Sequence, residues 1–255
     1  MKFPSFLFEF LSVYLNQTDY LNITLSCVDY MHEFNNTLKL KLNSHLSTLI
    51  KFNKVKYLNL SLSLKLSYNS IFYIKNITSL DLSYTCADDA MLAIICNRNK
   101  TLAYLNLGYT LITDTSMYYI NQLTLNSLDL TNCTNITSNG LAQLQTIKNL
   151  TELNISGCIV TEQDIEYISK LPIKKLSLKW CALTGPSIEY ISNMALLVYL
   201  DMSSNPISIN NLEKLTRLKN LEELIVMGCN NVTNINNCIV KFTSRYYSLT
   251  TSHTY

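Results

Sequence analysis

The chain has 255 residues, 48% hydrophobic and 15% charged, with five glycines and four prolines. That composition excludes collagen-like, Gly/Ser-rich and highly charged disordered chains, and it leaves enough apolar material for a sizeable core. A net charge of +2, with arginine only at Arg98, Arg217 and Arg245, gives no electrostatic footprint for nucleic acid.

The N-terminal 15 residues are apolar enough to imitate a signal peptide. Glu9 interrupts the run, however, and no small-x-small cleavage site comes after it, so an unprocessed intracellular chain, in the cytoplasm or nucleus, is expected. No uncharged apolar stretch approaches the roughly 18 residues needed to cross a bilayer, so no membrane partner is expected. The 11 Asn-x-Ser/Thr triplets argue the other way, because a secreted recognition domain would carry glycans there. Asn59 and Asn154 nevertheless fall in leucine-alternating segments, where a regular repeat generates such triplets by itself.

Residues 3–31 read as one or two short helices. Leu7, Phe10, Leu11, Val13, Tyr14 and Leu15 form a first apolar set, residues 16–19 break it, and Leu21, Leu25 and Val28 form a second. This load exceeds what a small helical pair buries alone, so residues 1–45 either cap the remainder of the chain or dock a partner.

From Val55 a leucine pattern returns every 22 to 25 residues, centred on Leu58, Leu80, Leu105, Leu128, Leu153, Leu176, Leu200 and Leu224. Apolar residues two apart, as in Leu153 and Ile155, share one face of a short strand. Three residues after the second apolar position come Thr85, Thr110, Cys133, Cys158, Cys181, Asn205 and Cys229, small side chains able to bond a turning backbone. Cap-forming residues such as Thr113, Thr137 and Thr161 come next, then apolar residues at helical spacing such as Ile165 and Ile168. No copy buries its own apolar stripe, so the eight copies are expected to stack over residues 50–240 into an α/β solenoid, with a curved parallel sheet inside and helices outside. The period also accounts for half of the eight cysteines without disulfides. No C-x-x-C pair exists, and His32, His45 and His253 lie outside the regular copies, so no metal is expected. Residues 241–255, rich in Ser, Thr and Tyr, break the period and form either a terminal cap or a disordered tail.

Strand positions that alternate with the buried leucines make a concave face that is polar, mixed in sign and dotted with aromatics. Tyr104, Tyr109, Asp129, Lys179, Trp180, Tyr199 and Asp201 are the candidate contacts for a target protein, because aromatic side chains are enriched at binding hot spots. The alternative for the same residues is a solvated strand face with incidental tyrosines. Enzyme readings fail: Gly108, Gly140, Gly157, Gly185 and Gly228 each stand alone in a turn, and Asp81, Asp129 and Asp201 come from separate strands with no pocket implied. Neither a catalytic residue nor a cofactor is expected.

The pattern L-x-x-L-x-L-x-x-C-x-x-[IV]-T, as in residues 125–137 and 221–233, resembles the cysteine-containing leucine-rich-repeat family. Phe3-Pro4, Tyr14-Leu15, Asp19, and Cys27 with Tyr30 resemble, in order and spacing, the landmarks of an F-box. Phe6 and Val28 depart from that motif, standing where an acidic and a basic residue are usual. The joint resemblance implies an F-box/LRR protein, the substrate-recognition subunit of an SCF-type cullin ubiquitin ligase. Pro4, Leu7, Leu11, Leu15 and Leu21 would contact the Skp-family adaptor while the repeats hold an unidentified target. The competing implication is a leucine-rich-repeat scaffold with no ligase link.

Overall fold

The computed structural model describes residues 37–39, 56–63, 66–72, 74–229 and 239–241. Ten three-residue strands are arranged along the chain: β1 (Thr37–Lys39), β2 (Tyr57–Asn59), β3 (Ser79–Asp81), β4 (Tyr104–Asn106), β5 (Ser127–Asp129), β6 (Glu152–Asn154), β7 (Lys175–Ser177), β8 (Tyr199–Asp201), β9 (Glu223–Ile225) and β10 (Ile239–Lys241). They form one sheet in sequential order, and every pair is parallel except the last, where β10 runs antiparallel to β9.

The eight predicted central leucines are the middle residues of β2 to β9 and pair with one another in direct register. Each is buried, as is the apolar residue two further on, from Leu60 to Val226. Burying one such side chain contributes roughly 1.5–3 kcal/mol, and a one-residue slip would expose the whole row, so the register is strongly specified.

Between the strands lie helices α1 (Tyr68–Ile71), α2 (Asp89–Arg98), α3 (Asp114–Ile120), α4 (Ser138–Ala142), α5 (Glu162–Ser169), α6 (Gly185–Ile191) and α7 (Ile209–Leu212). Single 3-10 turns, Gln143–Thr146 and Glu213–Arg217, extend α4 and α7. The predicted caps act as expected: Thr113 and Thr137 accept first-turn amides, and Thr161 forms a reciprocal capping box with Asp164. First-turn acids then stitch one repeat to the next. Asp89 accepts the amide and hydroxyl of Thr113 at 2.9 and 2.7 Å, and Asp114 does the same for Thr137 at 2.7 and 2.6 Å. Gly140 leaves the room for this second link, since a Cβ there would collide with Asp114 Oδ1.

The small-residue row is buried throughout and works as a second stitch. Cys133 donates its thiol to the carbonyl of Leu107, Cys158 to Leu130, Cys181 to Ile155 and Cys229 to Met202, in each case reaching back one repeat. Thr85 and Thr110 instead bond the carbonyl of their own strand end, Leu82 and Leu107.

The sheet reaches beyond the eight leucine copies at both ends. β1 falls within residues 1–45 and pairs Leu38 with Leu58, an interval shorter than any among the eight. All of the F-box landmarks, with the adaptor contacts Pro4, Leu7, Leu11, Leu15 and Leu21, and the stretch 242–255 lie outside the described residues.

Candidate protein-binding face

Six of the strands end in the same way. In β2, β3, β4, β5, β6 and β8 the Asn or Asp that closes the strand accepts the backbone amide two residues on: Ser61 to Asn59, Ser83 to Asp81, Gly108 to Asn106, Thr131 to Asp129, Ser156 to Asn154 and Ser203 to Asp201, at 2.8–3.1 Å. These Asx turns bend the chain off the sheet. The next residue then enters the left-handed region in all eight copies: Leu62, Tyr84, Tyr109, Asn132, Gly157, Trp180, Ser204 and Gly228, with φ between 53° and 73°. From Leu62 to Ser204 its amide donates to the adjacent repeat, as from Tyr109 to the carbonyl of Thr131 at 2.7 Å and from Trp180 to Ser203 at 3.1 Å. Glycine takes this conformation freely, whereas a bulky side chain does so at a cost of roughly 1–2 kcal/mol.

That geometry sets Tyr84, Tyr109 and Trp180 on one rim of the solenoid. Trp180 is 68% exposed, and Tyr84 and Tyr109 stack with ring centroids 4.2 Å apart. Their contact, first through a hydrogen bond to Tyr109 and then through burial, raises the Tyr84 phenol above its ordinary pKa. Leu62, Leu111 and Ile159 are also exposed in these turns. Leu111 and Ile159 are not legible in the sequence, because one-residue apolar positions inside a turn carry no periodic signal.

Lys179 is exposed beside Trp180. Tyr104 lies on the concave face proper and lines a shallow depression of ≈ 400 Å³ with Tyr57, Ser79, Asp81, Asn106, Ser127 and Asp129. Tyr199 is half-buried on β8, and burial, then the carboxylates of Asp201 and Glu223, push its phenol up. The structure thus separates the predicted contacts into Tyr104 with Asp129, Tyr109 with Tyr84, Lys179 with Trp180, and Tyr199 with Asp201.

Asp201 differs from the expectation of an open concave carboxylate. It is 8% exposed and accepts the Ser203 amide at 2.9 Å, so its first task is closing its own turn. Asp129 is half-buried, takes both the amide and the hydroxyl of Thr131 on Oδ1, and takes the Asn154 side chain on Oδ2 at 2.9 Å. Among the described residues, no group of three or more His, Cys, Asp or Glu is placed to hold a metal, and no helix is long and apolar enough to cross a membrane. Burial drives the thiols of Cys158 and Cys181 up to about 12, which makes them inert structural groups at neutral pH.

A family model described as a leucine-rich repeat matches residues 121–144. No curated protein sequence matches the chain. Among solved structures, an internalin (InlF) from Listeria monocytogenes is similar with a TM-score of 0.53 at 23% identity, covering 77% of this chain and 53% of its own. Internalin C2 from the same organism is similar with a TM-score of 0.50 at 21% identity, over 75% of this chain and 77% of its own. The chain therefore spans about half the length of the first of these structures. With one repeat matched in sequence and the solenoid matched in shape, the chain contains a leucine-rich repeat and has the fold of leucine-rich-repeat proteins.

Proposed function

We propose that the chain is a protein-recognition solenoid, holding a segment of a partner protein on its concave face and adjoining rim and performing no covalent chemistry itself. The observation that carries this reading is two sets of large, exposed side chains, Tyr57 and Tyr104 on the concave row and Tyr84, Tyr109 and Trp180 on the rim, mounted on backbone that neighbouring repeats lock in place. Aromatics held rigidly before binding lose little freedom on contact, which favours affinity. A photo-crosslinking residue at position 104 or 180 of the full chain, expressed in its native cells, should give discrete protein adducts, and one at the helix-side Tyr118 should not. Adducts from Tyr118 alone would overturn the assignment of the face.

The finer reading is target capture for an SCF-type cullin ubiquitin ligase in the cytoplasm or nucleus, with the N-terminal segment docking the Skp-family adaptor. Its support is the F-box-like order of Pro4, Leu15, Asp19 and Cys27 directly ahead of the repeats. Purified adaptor should bind the full chain and lose that binding when Pro4 and Leu11 are replaced by Asp. Failure to bind, or binding that survives both replacements, leaves the scaffold without a ligase link.

A further inference from the structure

The concave row that precedes the central leucines is uneven. Across β2 to β5 it runs Tyr57, Ser79, Tyr104, Ser127 in direct register, so one small side chain separates two large rings. Adjacent strands lie about 4.8 Å apart, which places Tyr57 and Tyr104 about 9.6 Å from each other. A group seated over Ser79 is then about 4.8 Å from each, inside the roughly 6 Å within which an aromatic face attracts a cation. Both tyrosines line the depression and are about half exposed.

The floor of the depression supplies charge. Asp81 and Asp129 line it, and no Lys, Arg or His among the described residues does. A carboxylate offers about four acceptor sites. Asp81 spends two on the amide and hydroxyl of Ser83 and one on the side chain of Asn59. Asp129 spends its sites in the same way on Thr131 and Asn154. Each Oδ2 therefore keeps one site open. Lys175, on the same concave row two strands beyond β5, is held by Glu152 at 2.7 Å.

We infer that this depression seats an arginine side chain of the partner segment, with the guanidinium between Tyr57 and Tyr104 over Ser79 and its N–H groups directed to Asp81, two residues along the same strand, while Asp129 two strands away adds to the negative field. A guanidinium is planar enough to lie between two rings, is weakly hydrated, and carries five donors in a fork that matches a carboxylate, whereas an ammonium is a strongly hydrated point charge. The inference rests on the reading of the concave face as a protein-binding surface and names the chemistry of what it binds.

The probe is a fluorescein-labelled decapeptide of alternating Gly and Arg, titrated into the full chain beside the same peptide carrying citrulline, which keeps the shape of arginine and lacks its charge. The arginine peptide should bind about ten-fold tighter. Asp81→Asn should remove most of that difference, Asp129→Asn should reduce it less, and Tyr104→Ser should weaken the arginine peptide several-fold. These changes use residues the chain already carries in these rows: Asn59, Asn106 and Asn154 close equivalent turns, and Ser79 and Ser127 flank Tyr104. Equal affinity for the two peptides, or an arginine advantage that survives Asp81→Asn, overturns the inference. If position 104 cross-links a partner while the peptides do not differ, protein recognition stands and the arginine assignment falls.

Discussion

Asn205 accepts the backbone amide of Cys181, one repeat earlier, at 3.1 Å. The same side chain accepts the amide of Leu183 at 2.9 Å and donates to the carbonyls of Leu178 and Met202 at 2.8 Å. One buried amide thus does for two turns what a cysteine thiol does for one elsewhere in the row. Replacing Asn205 by Ala strands several buried backbone groups, each costing about 1–3 kcal/mol. A loss of about 3–5 kcal/mol is expected in urea denaturation. Asn205→Cys, which restores the residue used at positions 158 and 229, should cost clearly less.

The buried thiols make the solenoid sensitive to alkali. Cys96, Cys158 and Cys181 are each pushed up to about 12 by burial, from an ordinary value of 9.0, and Cys133 and Cys229 are raised in the same direction. In the unfolded chain these thiols ionise near pH 9, whereas in the folded chain they stay protonated. Their contribution is therefore complete below about pH 9 and is lost as pH rises from there toward 12. Thermal melts should show a midpoint that falls steadily above pH 9. Native thiol titration at pH 8 should leave these five unreactive until denaturant is added.

Acid acts through a different group. Burial alone would raise the carboxyl of Asp89, but hydrogen bonds from Ser116 and Thr113 outweigh it and hold it below its usual value of 3.8. The link between α2 and α3 is then intact above about pH 4 and fails as the pH drops through the depressed folded value. Asp89→Asn should flatten the acid limb of the stability profile, and this is checked by comparing melts of the two proteins between pH 5 and pH 2.

Gly157 and Trp180 occupy the same left-handed position in adjacent repeats and should respond oppositely to substitution. A Cβ on Gly157 would collide with the Asn132 side chain at a φ of +73°, so Gly157→Ala should cost about 1–3 kcal/mol. Trp180→Gly releases a strained backbone and gives up a side chain that is 68% exposed, so stability should change by less than about 1 kcal/mol. Crosslinking of the partner through position 104 should nevertheless fall in that variant, which separates a binding role from a structural one.

The leucine ladder was legible because strand pairing in this fold repeats one contact: Leu58 meets Leu80, Leu80 meets Leu105, and so on, and a constant contact leaves a constant interval. The row from Asn59 to Asp201 was less legible. Its side chains read as free concave polar groups, yet Asp81, Asp129 and Asp201 first close their own turns, a role set by an amide two residues away and not by burial pattern. β1 was hidden because its spacing to β2 departs from the period. The pairing of Tyr57 with Tyr104 across Ser79 emerges only when strands two repeats apart are laid side by side.

The left-handed position of each turn has an evolutionary consequence. Its backbone is dictated by an Asx side chain or other turn geometry behind it and by a carbonyl of the next repeat ahead of it, and neither bond involves the side chain displayed there. Leu, Tyr, Asn, Gly, Trp and Ser all occupy the position with φ within a narrow range. Outside Gly157, where a Cβ would collide with the Asn132 side chain, specificity along this rim can therefore drift one residue at a time while the scaffold that carries it stays unchanged.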